Sequence, residues 1–395
     1  MVNTAEVLII GAGALGSSAA YWLALKGVKN ITVLEKSGPG NGATGHAAGL
    51  IRHHYPDREL VRMVRYCTAR FKNFKDEMGV DIDYVNNGFC YLNPPDAKGV
   101  EEIARMQREV GVPIELLSPE QIRHLHPKGE INTDGVGSGF YDPEAGYADP
   151  YKVAVGYAER AKELGVQLVI GTSALGFEVA NNRITKVLTD NGTYSADLVI
   201  NAAGLGADKL NLELDIDLPL KAFSLGHGML IPDIPFEQDI ITINDASVEE
   251  FLFFCRPESG GTALIGMDLE DPNRELNLDS YNMEIPFDKI GRYYEHLIKR
   301  MPFLSTFRIS TVFGALDVKT PDWNPGMGFY DNGPDNYYQI VAGSGHAFKL
   351  APVIGEVASQ QILGEKLSFD ISVFDINRLS QFDDSSFSGS FFINQ

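Results

Sequence analysis

Val7-Leu8-Ile9-Ile10-Gly11-Ala12-Gly13-Ala14-Leu15-Gly16 begins, and Ile31-Thr32-Val33-Leu34-Glu35 ends, the stretch that decides the fold. A short apolar strand enters a glycine-rich turn, the turn opens a helix, and a second strand finishes on a carboxylate. Gly11 permits the tight turn, Gly13 lets the backbone approach a pyrophosphate, and Gly16 lets the helix pack closely on the strand. The pyrophosphate would rest on backbone N–H groups at the positive end of the helix dipole. Glu35, about 20 residues further on, is placed to accept a ribose 2′-hydroxyl, and it would repel a 2′-phosphate. A lone glycine motif is a weak signal. Strand, turn, helix, strand and acid in the correct order predict a dinucleotide site. The motif alone leaves FAD and NAD both open.

Composition narrows the remainder. The 395 residues suffice for two domains. With 33 basic against 53 acidic residues, the net charge of −20 argues against a nucleic-acid partner. It also means that an anionic substrate must be drawn in by local cations against the overall field. Cys67, Cys90 and Cys255 are odd in number and widely spaced, which fits neither a disulfide framework nor a zinc site. No apolar run is long enough for a membrane helix, no signal peptide is expected, and a cytoplasmic location is the default.

Beyond Glu35 the segment Ser37 to Tyr55 is first rich in small residues, as a backbone lying against a flat ligand would be. It then concentrates Arg52, His53 and His54. Apolar spacing predicts helices over 59–78, 97–110, 151–164, 287–301 and 350–363. Strands are expected at 89–92, 166–170, 198–201, 225–231, 250–256, 262–267 and 338–342, with a hairpin turning on Asp190-Asn191-Gly192. His124 and His126 lack a third ligand, so a surface loop is expected there rather than a metal centre. No metal site is expected elsewhere either.

These stretches carry a resemblance. The opening motif, Gly42-Ala43-Thr44-Gly45-His46-Ala47-Ala48-Gly49-Leu50 and Arg52 are similar to the D-amino-acid oxidase superfamily of FAD enzymes, most of all its sarcosine oxidase and dimethylglycine dehydrogenase branch. Tyr141 to Pro150, Leu198 to Gly204 and Gly343 to Pro352 agree with it. The resemblance implies an α/β Rossmann-type FAD-binding domain, a parallel sheet with helices and a β-meander, and an α+β, β-rich substrate domain. The two are expected to interleave: 1–82, 146–218 and 326–378 in the first, 83–145 and 219–325 in the second, with 379–395 a loosely held tail.

It also implies site residues. FAD contacts are expected from Gly11, Gly13, Gly16, Glu35, Lys36, Thr44, His46, Ala47, Ala48, Gly49, Leu50, Ala174, Ala203, Gly204, Gly343, Gly345, His346 and Lys349. Arg52 and Lys349 match residues that grip a substrate carboxylate in the sarcosine oxidase branch, one as a planar fork and one as a point charge. His53 and His346 are expected to tune the substrate amine or the flavin, because an imidazole changes charge near neutral pH. His54 and His227 are weaker candidates. His46 matches the histidine that bonds to the flavin in dimethylglycine dehydrogenases, although the preceding aromatic residue of that family is Gly45 here. Covalent and non-covalent contact both stay open.

Three departures bear on the chemistry. Ala315 replaces the cysteine that carries FAD in monomeric sarcosine oxidases. Leu264 replaces the lysine that those oxidases use to activate oxygen, so a dehydrogenase is favoured over an oxidase. Asp317 stands in place of a tyrosine. The expected activity is FAD-dependent oxidation of a small, N-substituted amino acid such as sarcosine, dimethylglycine or proline. The alternatives are a D-amino-acid or glycine oxidase, or a flavin-carrying subunit of a larger complex. An NAD-dependent dehydrogenase gives no role to the C-terminal glycine turn. The electron acceptor (oxygen, a quinone, a dye or a flavoprotein) and the oligomeric state are not legible.

Overall fold

A computed structural model describes residues 2–126, 129–233, 240–248, 253–268, 285 and 287–387. Two large sheets organise them. The first runs in the order Gly326–Phe329, Tyr337–Val341, Gly192–Asn201, Val2–Ile10, Ile31–Glu35, Gln167–Ile170. Its central pairings are parallel, and Val2–Ile10 lies between Gly192–Asn201 and Ile31–Glu35. Ile31–Glu35 and Tyr337–Val341 are buried along their whole length, as are the last four residues of Val2–Ile10, so these stretches are largely apolar. Ala174–Ala180 and Arg183–Thr189 form an antiparallel meander leading into Gly192–Asn201.

Helix Ala14–Leu25 packs on this sheet against helices Pro150–Glu163 and Ala351–Ile362. The contact with the last helix is intimate. A Cβ at Gly355 would come within 2.2 Å of Ser18 Oγ, which itself donates to Ala351 O at 2.7 Å.

The second sheet follows the order Phe307–Lys319, Lys221–Pro232, Thr262–Asp268, Phe253–Glu258, Thr242–Asp245, Phe89–Asn93, Ser138–Asp142, Glu115–Leu117. It is antiparallel except where Thr242–Asp245 lies parallel to Phe89–Asn93. Strand period sorts its side chains onto two faces. Ile243, Cys255 and Ile265 join a core with Ile290 and Leu297 of helix Phe287–Arg300. The opposite face carries the register row Phe313, His227, Gly266, Phe254, Asn244, Tyr91, Phe140.

Several expectations are corrected. The helix expected over 59–78 is two, Arg58–Lys72 and Phe74–Met78, divided at Asn73. The strand expected at 166–170 is Gln167–Ile170, at the sheet edge with Ile170 53% exposed. Residues 250–252 of one expected strand lie outside the described residues, and the strand runs Phe253–Glu258. His126 is buried against Phe303, with ring centroids 4.3 Å apart, while His124 stays exposed. The C-terminal segment is packed at least to Phe387, whose ring lies 4.3 Å from Lys221 Nζ.

Candidate active site

The first glycine turn is closed by sterics. Gly11 has φ +104°, and a Cβ there would meet Ala202 O at 2.3 Å. A Cβ on Gly16 would meet Gly11 O at 2.1 Å, so Gly16 serves packing and does not line the cavity described below. Helix Ala14–Leu25 begins at Gly13 with no side-chain cap and no acid in its first turn, and Ala14 N–H donates to Thr44 Oγ1 at 3.1 Å. Its N-terminus thus keeps the electropositive character that attracts phosphate. Glu35 closes the far end. Its carboxylate accepts Ala12 N–H at 2.8 Å and Ser37 N–H at 2.9 Å.

These elements line one cavity of about 480 Å³ that reaches from Glu35 to Lys349. Lys36, Thr44, His46, Ala47, Ala48, Gly49 and Leu50 border it from the loop after the second strand. Ala174, Ala203 and Gly204 border it from the first sheet, and Gly343, Gly345, His346 and Lys349 from the C-terminal turn. The second sheet contributes Phe223, His227, Asn244, Phe254 and Asp317, and Thr172 and Trp323 complete the wall. Of these, sequence reasoning missed Thr172, Phe223, Asn244, Phe254 and Trp323. Their positions depend on strand register, which no local motif encodes.

The cavity fits FAD on three counts. It has a glycine cradle that side chains would fill, a helix N-terminus with no acid in its first turn, and a buried Thr172 hydroxyl without a hydrogen-bond partner among the described residues. With FAD bound, the Glu35 end would take the adenosine and the Gly11–Gly16 turn the phosphates.

At the other end two cations meet. Arg52 is 3% and Lys349 4% exposed, and both face the Tyr55 ring, at 4.7 Å and 5.6 Å from its centroid. Arg52 also donates Nη1–H to His54 O at 2.5 Å, and Lys349 Nζ donates to His346 O at 3.3 Å. Burial and the neighbouring Arg52 charge hold the Lys349 ammonium well below its ordinary pKa. Two buried basic side chains so close together favour an anion that arrives beside them.

The histidines divide. His53 does not reach the cavity. Its Nδ1 pairs with Asp142 at 2.8 Å, its Nε2 meets Thr68 Oγ1 at 3.0 Å, and it is fully buried, so it is a structural residue. His346 does line the cavity, with Nε2–H donating to Trp323 O at 2.6 Å. Burial, then the Lys349 charge, pushes its pKa down to about 3. It stays neutral at physiological pH, which corrects the expectation of a titrating group. Burial and Arg52 hold the His54 pKa at about 3, and its ring packs at a tilt against Tyr91 and Phe140, both with centroids 4.4 Å away.

His46 Nδ1 lies 3.0 Å from Gly42 O. A carbonyl only accepts, so the ring proton sits on Nδ1 and the lone pair on Nε2. Asp317 accepts Val318 and Gly345 N–H, each at 2.8 Å, and burial raises its pKa to about 6. Leu264 is buried and does not line the cavity. Among the described residues no cluster could hold a metal ion, and no helix is long and apolar enough to cross a membrane.

A Rossmann-type sheet with a glycine-lined dinucleotide cavity, roofed by a second sheet, defines an FAD-binding oxidoreductase architecture. The comparisons narrow it. The model of the DAO family, FAD dependent oxidoreductase, matches residues 6–361, and the chain belongs to that family. It is 26% identical to the mitochondrial dimethylglycine dehydrogenase of Rattus norvegicus over 95% of its own length and 45% of that protein's. It is 26% identical to the monomeric sarcosine oxidase of Bacillus sp. (strain B-0618), over 94% of this chain and 96% of that one. The chain therefore spans less than half the length of the mitochondrial dehydrogenases it matches. The L-proline dehydrogenase structure from P. horikoshii superposes with a TM-score of 0.86 over 96% of this chain and 99% of that one. At 24% identity this shows the shared fold.

Proposed function

We propose that the chain oxidises the C–N bond of a small amino acid, in the class of sarcosine, dimethylglycine or proline, to an imine that hydrolyses. The observation that carries this reading is the buried Arg52–Lys349 pair beside a cavity fit for FAD, in a chain of net charge −20. Bound FAD supplies a two-electron acceptor that takes hydride at N5. The chain's own residues hold the substrate. The Arg52 guanidinium forks onto the carboxylate, Lys349 adds a second charge-assisted bond, and Tyr55 backs both cations. Fixing the carboxylate orients the C–H to be broken, and orientation supplies much of the rate. His346, neutral and tied to Trp323 O, leaves the nearby substrate amine without a competing positive charge. A free amine assists hydride departure.

Leu264 is buried off the cavity wall, so its strand position offers no charge to the flavin; this supports a dehydrogenase, because oxygen reduction passes through superoxide, which a positive charge stabilises. His46 supports covalent attachment, since its Nδ1–H bond to Gly42 O leaves Nε2 nucleophilic.

Anaerobic mixing with sarcosine, dimethylglycine, L-proline, glycine and D-alanine tests the reading. Rapid bleaching near 450 nm by an N-substituted acid, with slow return of colour in air, is the expected result. Preference for glycine or D-alanine with fast reoxidation would replace it with an oxidase of primary amines. No bleaching by any of the five would overturn the amino-acid reading in favour of a flavin-carrying subunit. Acid precipitation reads the linkage: yellow colour should stay with the wild-type pellet and leave that of His46→Gln.

A further inference from the structure

The second sheet presents one register row to the cavity: His227, Gly266, Phe254 and Asn244 lie side by side on adjacent strands, followed by Tyr91. The row is not evenly filled. A Cβ at Gly266 would fall 2.1 Å from Phe254 Cε1 and 2.9 Å from His227 Cδ2. The Phe254 ring therefore leans over the side-chain-free position, toward His227 and away from Asn244. On the other flank the Tyr91 ring packs at a tilt against His54, with centroids 4.4 Å apart. Asn244 is left facing the cavity between two turned-away rings. It is 4% exposed, and its carboxamide makes no hydrogen bond among the described residues.

A carboxamide that faces the cavity with no partner among the described residues keeps both its donor and its acceptor for whatever enters. Its neighbour Asp245 points to the opposite face, where it pairs with Arg300, so Asn244 is not needed for that network. We propose that Asn244 is a specificity-determining residue that hydrogen-bonds a hydroxyl on the substrate. The site would thus select a hydroxylated small amino acid over its bare alkyl counterpart. This rests on the amino-acid reading above. One carboxylate saturates Arg52 and Lys349, so the second polar group need not be charged. A carboxamide can both donate to a hydroxyl and accept from it. An alkyl analogue that displaces the water from Asn244 leaves the amide unsatisfied, which is how a site built for a hydroxyl rejects the molecule lacking it.

The test compares matched pairs by anaerobic flavin reduction: N-(2-hydroxyethyl)glycine against N-propylglycine, and 4-hydroxy-L-proline, both isomers, against L-proline. The better hydroxylated member should exceed its partner in kcat/KM by about tenfold or more. Asn244→Leu should lower the hydroxylated substrate about ten- to hundredfold while holding the alkyl one within about threefold. Asn244→Ser, which keeps a donor and acceptor, should restore part of the preference. Calorimetric binding of tetrahydrofuran-2-carboxylate and its 4-hydroxy derivative, which cannot be oxidised, should show the same ranking without turnover. Ratios near one in the wild type overturn the Asn244 assignment while the amino-acid reading stands. So does an Asn244→Leu effect equal on both members. Failure of every amino acid to bleach the flavin, together with no binding of either carboxylate, overturns both.

Discussion

Lys349 shows how one side chain links the site to pH. In the free protein, burial and Arg52 depress its pKa from 10.5, so the neutral amine is populated at a lower pH than for an exposed lysine. A carboxylate arriving beside it favours the ammonium and raises the pKa again. Binding therefore takes up a proton between the free and bound pKa values, and affinity falls as pH rises through that window. Below the window Lys349 is already charged and affinity is level. Calorimetry of a non-oxidisable carboxylate in two buffers of different ionisation enthalpy should give a net uptake of up to about one proton between the free and bound pKa values. In Lys349→Met the uptake should vanish and KM rise about ten- to hundredfold. No uptake by the wild type from pH 6 to 10 would remove Lys349 from the anion site. Residue type was informative here because Arg52 and Lys349 each follow a glycine-rich segment that borders the cofactor cavity. It was misleading for His53, whose partner Asp142 is 89 positions away and closes both the ring Nδ1 and the backbone N–H. Adjacent histidines look alike in sequence, and only long-range pairing separates them.

Among elements, the C-terminal turn is the most constrained. Ala342, Ser344 and Gly345 adopt φ of 60°, 48° and 72°, a run of left-handed backbone that two non-glycine residues pay for in strain. The Asp317 carboxylate holds the turn by accepting Gly345 N–H across from strand Phe307–Lys319. Gly343 has an ordinary φ, yet a Cβ there would fall 2.6 Å from Asp317 Oδ1. Gly343→Ala should push the carboxylate away, release the turn and lower flavin content. The 450 to 280 nm absorbance ratio of the purified protein should drop to less than about half, with far-ultraviolet circular dichroism unchanged. A fully loaded Gly343→Ala protein would show that the turn does not hold the cofactor. The first glycine turn was legible because its strand–turn–helix context is local. The demand on Gly343 was not, since it comes from a strand that ends 24 residues earlier in the chain.

For the molecule as a whole, the question is what couples the two sheets around the cavity. Arg256, on strand Phe253–Glu258 of the second sheet, donates Nε–H to Ala48 O at 2.7 Å, in the loop that borders the cofactor cavity. Its guanidinium also lies 4.4 Å from the Tyr147 ring centroid and pairs with Glu258 at 2.8 Å. At 4% exposure these bonds act in a poorly solvated setting, where each is worth more than at the surface. Neither the tie nor the parallel pairing of 242–245 with 89–93 could be read from periodicity, which reports burial but not which distant strand supplies it. Because FAD binds the native state, it should stabilise the protein by an amount set by its concentration relative to Kd. Arg256→Ala frees the Ala48 loop, so FAD should bind more weakly and contribute less. A tenfold loss of affinity would narrow the difference between holo and apo unfolding free energies by about 1.4 kcal/mol at fixed FAD, or on the order of 2 °C in Tm for a chain this long. Thermal unfolding across an FAD titration separates the cases. If the apo protein melts lower while the FAD-dependent increment is unchanged, Arg256 only supports the second sheet. If the increment shrinks with the melting point, the second sheet reaches through Arg256 to the cofactor loop and helps to set cofactor affinity from outside the Rossmann turn.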